Sequence, residues 1–84
     1  MTQKEKIKFL KAIASEKRFE IVQILKAHPN GITPTALSEK LGVSLSTLSL
    51  HLLRMKNTNI VRQKKVRNFI FYFLNRELIE NFSI

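Results

Sequence analysis

Two periodicities in the 84 residues predict a mainly α fold that carries a small β-hairpin near its C-terminal end. Apolar residues recur every three or four positions through residues 3–56, the spacing of helices packed on one side. Beyond Asn57-Thr58-Asn59 the period shortens, and Phe69-Ile70-Phe71-Tyr72-Phe73-Leu74 is an unbroken β-favouring run. All Gly and Pro residues fall between Pro29 and Gly42, so residues 1–84 read as one domain without a linker.

The elements follow in order. Residues 3–14 predict a first helix, with Ile7, Leu10, Ile13 and Ala14 at helical spacing. Ser15 is placed to cap a second helix over residues 16–27, with Phe19, Val22 and Leu25 inward and Ile21 and Ile24 flanking. His28-Pro29-Asn30-Gly31 stops it, because a residue before proline avoids the helical region and Asn-Gly suits a tight turn. Thr33 caps a third helix and Pro34 takes its first position, where a missing N–H costs nothing. Ala36, Leu37 and Leu41 supply its apolar face, and Gly42 closes it. Ser44 caps a fourth helix over residues 45–56, in which Leu48, Leu52 and Met55 form one buried stripe. Residues 60–64 and 68–74 read as strands joined by Lys65-Val66-Arg67, with a short extra strand at Ile32. A last helix spans residues 76–82.

Composition narrows the function. Fifteen Lys and Arg against six Asp and Glu give a formal net charge of +9, which favours a polyanionic partner. From Lys40 to Arg76, both included, there are eight basic residues and no acid. The absence of cysteine excludes disulfides, thiolate metal sites and thiol redox sensing. No segment has the roughly 18 apolar residues of a membrane span and no signal peptide opens the chain, which predicts a cytoplasmic protein. No nucleophile–base pair, carboxylate pair or glycine-rich phosphate loop is present, so an enzyme is not expected and no cofactor is implied.

The informative segment is Thr33–Met55: two short capped helices joined by Gly42-Val43-Ser44, the helix-turn-helix pattern whose second helix enters the major groove. The outward face of that second helix holds Ser44, Ser46, Thr47, Ser49, Leu50, His51 and Arg54. Solvated helix faces are usually rich in Glu and Lys, whereas four hydroxyls without an acid suit phosphates and base edges. Leu50 is suited to a thymine methyl. Thr33, at the start of the motif, joins the DNA-contact set. So do Arg62, Lys64, Lys65 and Arg67, expected to cluster at the hairpin tip as a basic wing.

Three blocks carry a family resemblance. Residues 10–21, Leu-Lys-Ala-Ile-Ala-Ser-Glu-Lys-Arg-Phe-Glu-Ile, resemble the opening of ArsR-type (arsenic-repressor-type) regulators. The segment from Leu37 to Leu52 is similar to their "LAxxLGxSxSTVSxHL" helix-turn-helix, and Ile60-Val61-Arg62 with Phe71-Tyr72-Phe73-Leu74-Asn75 to their wing. The resemblance covers about residues 7–75. It implies a winged helix-turn-helix homodimer that represses transcription from an inverted-repeat operator. It also implies dimerisation through residues 3–14 and 76–84, here by Ile7, Leu10, Ile13, Leu78, Ile79 and Phe82. The family's cysteine metal motif is replaced by Thr35-Ala36-Leu37, the last helix has no histidine, and only His28 and His51 exist, so no metal is expected. Arg67 stands where the family's wing has glycine.

One pattern points elsewhere. If Ile70, Tyr72 and Leu74 face the core, Phe69, Phe71 and Phe73 share the opposite face. They then either pack under a terminal helix or form an apolar patch for a protein partner, the alternative function of a winged-helix interaction module. An RNA-binding role is disfavoured, since no aromatic stacking platform is interleaved with basic residues.

Overall fold

The structure, a computed structural model, describes residues 2–12 and 15–80; for Phe9, Ala12 and Ile79 only the backbone is described. Within these residues the order is α1 (Gln3–Ala12), α2 (Glu16–Lys26), α3 (Pro34–Leu41), α4 (Leu45–Asn57), β1 (Val61–Val66), β2 (Phe69–Leu74) and α5 (Arg76–Glu80). This is the expected helical order with a two-stranded antiparallel hairpin.

The core forms where α2, α3 and α4 turn their apolar stripes toward the base of the hairpin. Ile21, Val22 and Leu25 of α2, Leu37 and Leu41 of α3, and Leu48, Leu52 and Met55 of α4 are buried with Ile32, Ile60, Val61 and Leu74. Each large aliphatic side chain buried in this way contributes about 1.5–3 kcal/mol. Phe19 departs from its expected inward position: it sits roughly a third of a turn from the Ile21/Val22/Leu25 stripe and is 47% exposed, while Ile21 is fully buried.

Local chemistry sets the helix ends. Thr33 Oγ1 accepts the amide of Ala36 at 3.3 Å, and Gly42 ends α3 with φ +69 while its N–H reaches the Ser38 carbonyl. Ser44 Oγ accepts the amide of Thr47 at 3.1 Å. Ser15 occupies the cap position of α2, yet its hydroxyl makes no capping bond with any described residue. At the end of α4 the Ile60 N–H reaches the Met55 carbonyl and the Asn59 N–H reaches that of Lys56. Asn59 takes φ +61 there, the left-handed residue such a helix stop requires. The Asn75 amide side chain then donates to the Asn59 carbonyl at 2.9 Å, and the Asn75 N–H donates to Ile60. These bonds pin the exit of α4 to the exit of β2.

The hairpin register differs from the expected one. Val61 pairs with Leu74 and Val66 with Phe69, so Lys65 and Val66 belong to β1 and the turn is only Arg67-Asn68. Ile32 bridges Tyr72, the short extra strand foreseen. Both 2.9 Å bonds of that bridge stitch the α2–α3 connection to β2. Arg76 donates from Nη2 to the Lys26 carbonyl at 3.1 Å, fixing the start of α5 against the end of α2.

The aromatic strand does not split into one apolar and one core face. Leu74 is buried and Tyr72 packs against the core, but Ile70 is exposed because the hairpin tip projects past the body. Opposite, Phe69 is 61% exposed, whereas Phe71 is half-buried over Gly31 and Phe73 is half-buried with Lys64 Nζ 5.9 Å above its ring. A continuous three-phenylalanine patch is therefore not formed. The exposed apolar group is the tip: Val66, Phe69 and Ile70.

Candidate nucleic-acid interface

The 3.6-residue repeat of α4 fixes which side chains meet solvent. With Leu48, Leu52 and Met55 inward, the opposite face presents Ser46, Leu50, Leu53 and Arg54, flanked by Ser49 on one side and Thr47 and His51 on the other. Ser44, Ser46, Thr47, Ser49, Leu50 and Arg54 are all exposed and His51 is half-buried, so seven of the sequence-predicted residues share one accessible helix surface. Leu50 is 64% exposed. Leu45 and Leu53 are also exposed on this helix, apolar positions that the sequence reading passed over. Thr33 is different. It is half-buried at the start of α3 with its hydroxyl engaged by the Ala36 amide.

The hydroxyls at the helix start are ordered. Ser44 Oγ accepts from the Thr47 amide and donates to Thr47 Oγ1 at 3.1 Å. The amides left without intrahelical partners at such a start favour an anion.

One residue at this surface was missed by sequence reasoning. Arg18, in the first turn of α2, donates from Nε to Nδ1 of His51 at 3.2 Å. Together with Thr47, Leu50, His51 and Arg54 it lines a hollow of about 220 Å³. Its 33-residue separation from His51 leaves no local signal. Because Nδ1 accepts this bond, the imidazole is the neutral tautomer with its proton on Nε2. Burial first, then the Arg18 and Arg54 charges, hold the His51 pKa below the usual histidine value of 6.5.

The sign of the pH effect follows. A histidine whose folded pKa is depressed binds its proton later than the unfolded chain does. Its contribution to stability is complete above about pH 6.5 and declines as pH falls from there through the folded value. The urea midpoint should drop between pH 7.5 and 5 more steeply in the native chain than in His51→Gln. Superimposable curves would refute the half-buried neutral imidazole.

The wing carries exposed Arg62, Lys64, Lys65 and Arg67, but not as one cluster. Alternation puts Arg62 and Lys64 on the face of Phe71 and Phe73, and Lys65 on the other. Arg67 forms the turn with φ +56. Arg62 lies at the base, opposite Phe73 and about 16 Å of strand away from Arg67. There it lines a polar cleft of about 420 Å³ with Glu5, Lys8, Asn57, Thr58, Asn59, Asn75 and Leu78. The expected cationic tip thus reduces to Lys65 and Arg67, with Lys64 drawn over Phe73.

Of the residues expected at a subunit contact, Ile7 and Leu10 are exposed on α1, and Leu78 is half-buried against the core of its own chain. Ile13 and Phe82 lie outside the described residues, as does the side chain of Ile79.

A tri-helical core, a capped two-helix motif with an open polar face and a projecting basic hairpin define a DNA-binding domain of the winged type. Comparison with known proteins agrees. The family model described as "Winged helix-turn-helix DNA-binding" matches residues 15–62, more than half of the chain. Among solved structures, HlyU from Vibrio cholerae is 29% identical, with 99% of this chain and 95% of HlyU covered and a TM-score of 0.75. The transcriptional repressor PagR of Bacillus anthracis is 25% identical over 94% of this chain and 88% of PagR, with a TM-score of 0.83. The homodimeric winged helix-turn-helix domain of Mb0332 from Mycobacterium bovis, proposed as an ArsR-family regulator, shares the fold at 20% identity. There 95% of this chain and 73% of that one are covered, with a TM-score of 0.84. No curated protein sequence is matched. The chain belongs to the winged helix-turn-helix DNA-binding family, and it is a DNA-binding regulator of transcription.

Proposed function

We propose that this regulator is a metal-independent homodimeric repressor of ArsR type that reads an inverted-repeat operator. The observation that carries the reading is the outer face of α4, where exposed Ser46, Thr47, Ser49, Leu50 and Arg54 offer hydroxyl, apolar and guanidinium contacts without one acid. Hydroxyls at the helix start position the backbone, while Arg54 and Leu50 suit base edges. Lys65 and Arg67 of the wing reach a neighbouring stretch of phosphates or minor groove, and Arg62 holds the backbone near the wing base.

The dimer reading rests on α1. Among the described residues none from α1 enters the buried core, and Ile7 and Leu10 stay exposed. A second copy covers them, consistent with the homodimeric relative of the same fold. Half-sites then lie about one helical turn, roughly 34 Å, apart. Residues 1–84 act as this one domain, in the cytoplasm, without enzymatic chemistry; no described helix is long and apolar enough to cross a membrane. Metal independence is supported by a sequence without cysteine whose two histidines, His28 and His51, lie in a turn and on α4.

The decisive experiment selects duplexes from a random pool and measures the mass of the free chain by sedimentation. Recovery of an inverted repeat, a dimer at micromolar concentration, and binding unchanged by chelator or zinc are expected. A selected pool without a shared motif would reject specific recognition, a monomer would reject the homodimer, and a zinc-dependent affinity would reject metal independence.

A further inference from the structure

Two large apolar side chains stand in the middle of the α4 reading face. Leu50 is 64% exposed and Leu53 is 55% exposed, on the side opposite Leu48, Leu52 and Met55. A single exposed leucine needs no explanation. These two are three positions apart and therefore neighbours on the helix surface. Ser46 lies four positions before Leu50, Ser49 four before Leu53 and Arg54 four after Leu50, so hydroxyls and a guanidinium frame the pair. Charge decides what covers it. α4 carries Arg54 and Lys56 and no acid. A second copy docked face to face would set those cations against their own counterparts, whereas a polyanion is attracted to them. The helix is also the second of the helix-turn-helix, the one that enters the major groove. The occupant is therefore duplex DNA, and the leucines meet base edges.

We propose that Leu50 and Leu53 are a methyl reader: they recognise the C5-methyl groups of two pyrimidines in each half-site and set sequence preference there without a hydrogen bond. The inference rests on the α4 interface proposed above and names the part of the base that this interface reads at two positions. In the major groove thymine shows O4 and a C5-methyl, while cytosine shows its N4 amino group. A leucine neither donates nor accepts, so it senses the methyl and not the polar atom beside it. The two side chains stand about 5–6 Å apart at their Cβ atoms, against about 3.4 Å between successive bases. The pair therefore spans bases one or two steps apart. Thymine is preferred over uracil at both positions, and 5-methylcytosine over cytosine, because each pair differs by the methyl alone. Burying one such group changes affinity about fourfold.

The test measures affinity of the native full chain, Leu50→Ala, Leu53→Ala, their double variant and Arg54→Ala for a selected duplex and a scrambled one. Each thymine of the selected duplex is replaced in turn by uracil, and at the positions that respond cytosine is compared with 5-methylcytosine. Alanine at two exposed helix positions keeps the fold, which thermal melting checks. The native chain should lose about fourfold at two thymines per half-site, one or two steps apart, and should bind 5-methylcytosine about fourfold better than cytosine there. Each response should vanish in one of the single leucine variants, and both in the double variant. Uracil tolerated at every thymine, or the same uracil loss in the double variant, overturns the reader. If Arg54→Ala still weakens binding to that duplex, the α4 interface stands without it; if Arg54→Ala is silent as well, the α4 reading falls too. A loss in the double variant that is equal on the scrambled duplex makes the leucines a general contact and overturns the reader. So does native DNA affinity in the double variant with a changed sedimenting mass, which makes the pair a contact between copies.

Discussion

Arg54→Ala should weaken binding to a selected duplex by about 5- to 150-fold, the 1–3 kcal/mol carried by a good arginine–base contact. The side chain is exposed in the last turn of α4, so the fold loses little: removing a cation near a helix C-terminus costs about 0.3–1 kcal/mol. The comparison with a scrambled duplex separates two roles. If Arg54 reads a base, the loss is confined to the selected sequence. If it grips phosphate, both duplexes lose equally and the salt slope flattens by about 1. Arg62→Ala, at the wing base, should show the second behaviour. Native affinity in both variants, measured by gel shift or anisotropy, would remove α4 and the wing base from the interface.

How far the site could be read in advance depended on distance along the chain. The α4 face was legible because period and caps are local: Leu48, Leu52 and Met55 fix the inward side, Thr33 and Ser44 fix the helix starts, and Gly42 fixes the stop between them. Ile32 was legible for the same reason, as an apolar residue between a turn and a helix cap. The Arg18–His51 bond was not, because two residues on different helices meet only after α2 and α4 pack. Phe19 shares helical spacing with Val22 and Leu25, yet Ile21 takes the inward place beside them and Phe19 stays outside.

The hairpin shows a second kind of opacity. The sequence has no glycine or Asn-Gly pair near the tip to fix a tight turn, and its pattern puts the connection at Lys65-Val66-Arg67. The chain instead makes a two-residue turn by forcing Arg67 to a positive φ. Because side chains alternate, that choice decides which cations share a face, and it moves Arg62 out of the tip. In the same arrangement Phe71 packs over Gly31 and Lys64, paired with Phe71, reaches diagonally over the Phe73 ring, which breaks up the phenylalanine row that the strand alone suggested. What holds this register is the pairing with Ile32 and the Asn59–Asn75 link, both formed between segments far apart in sequence.

That dependence makes Gly31 the backbone position with the most to lose. Its φ is +102, outside the range L residues adopt readily, and a Cβ there would lie 2.9 Å from Phe71 Cβ and 3.3 Å from the Tyr72 carbonyl oxygen. Gly31→Ala therefore combines about 1–2 kcal/mol of backbone strain with about 1–3 kcal/mol of overpacking. The clash falls on the strand that pairs with Ile32, so relief means loosening β2 and the wing with it. At 4–8 °C per kcal/mol for a domain this small, the melting midpoint should fall by roughly 10 °C or more. Gly42→Ala is the control: φ is +69, nothing lies within 4 Å of the added carbon, and the strain term alone predicts about 1–2 kcal/mol. Arg67→Gly runs the other way. It releases strain at φ +56 but frees the unfolded chain, for a net gain of about 0.5–1 kcal/mol, while removing one wing cation and flattening the salt slope. Equal losses at Gly31 and Gly42 would mean that β2 does not press on the α2–α3 turn, and the wing's placement beside α4 would need another cause.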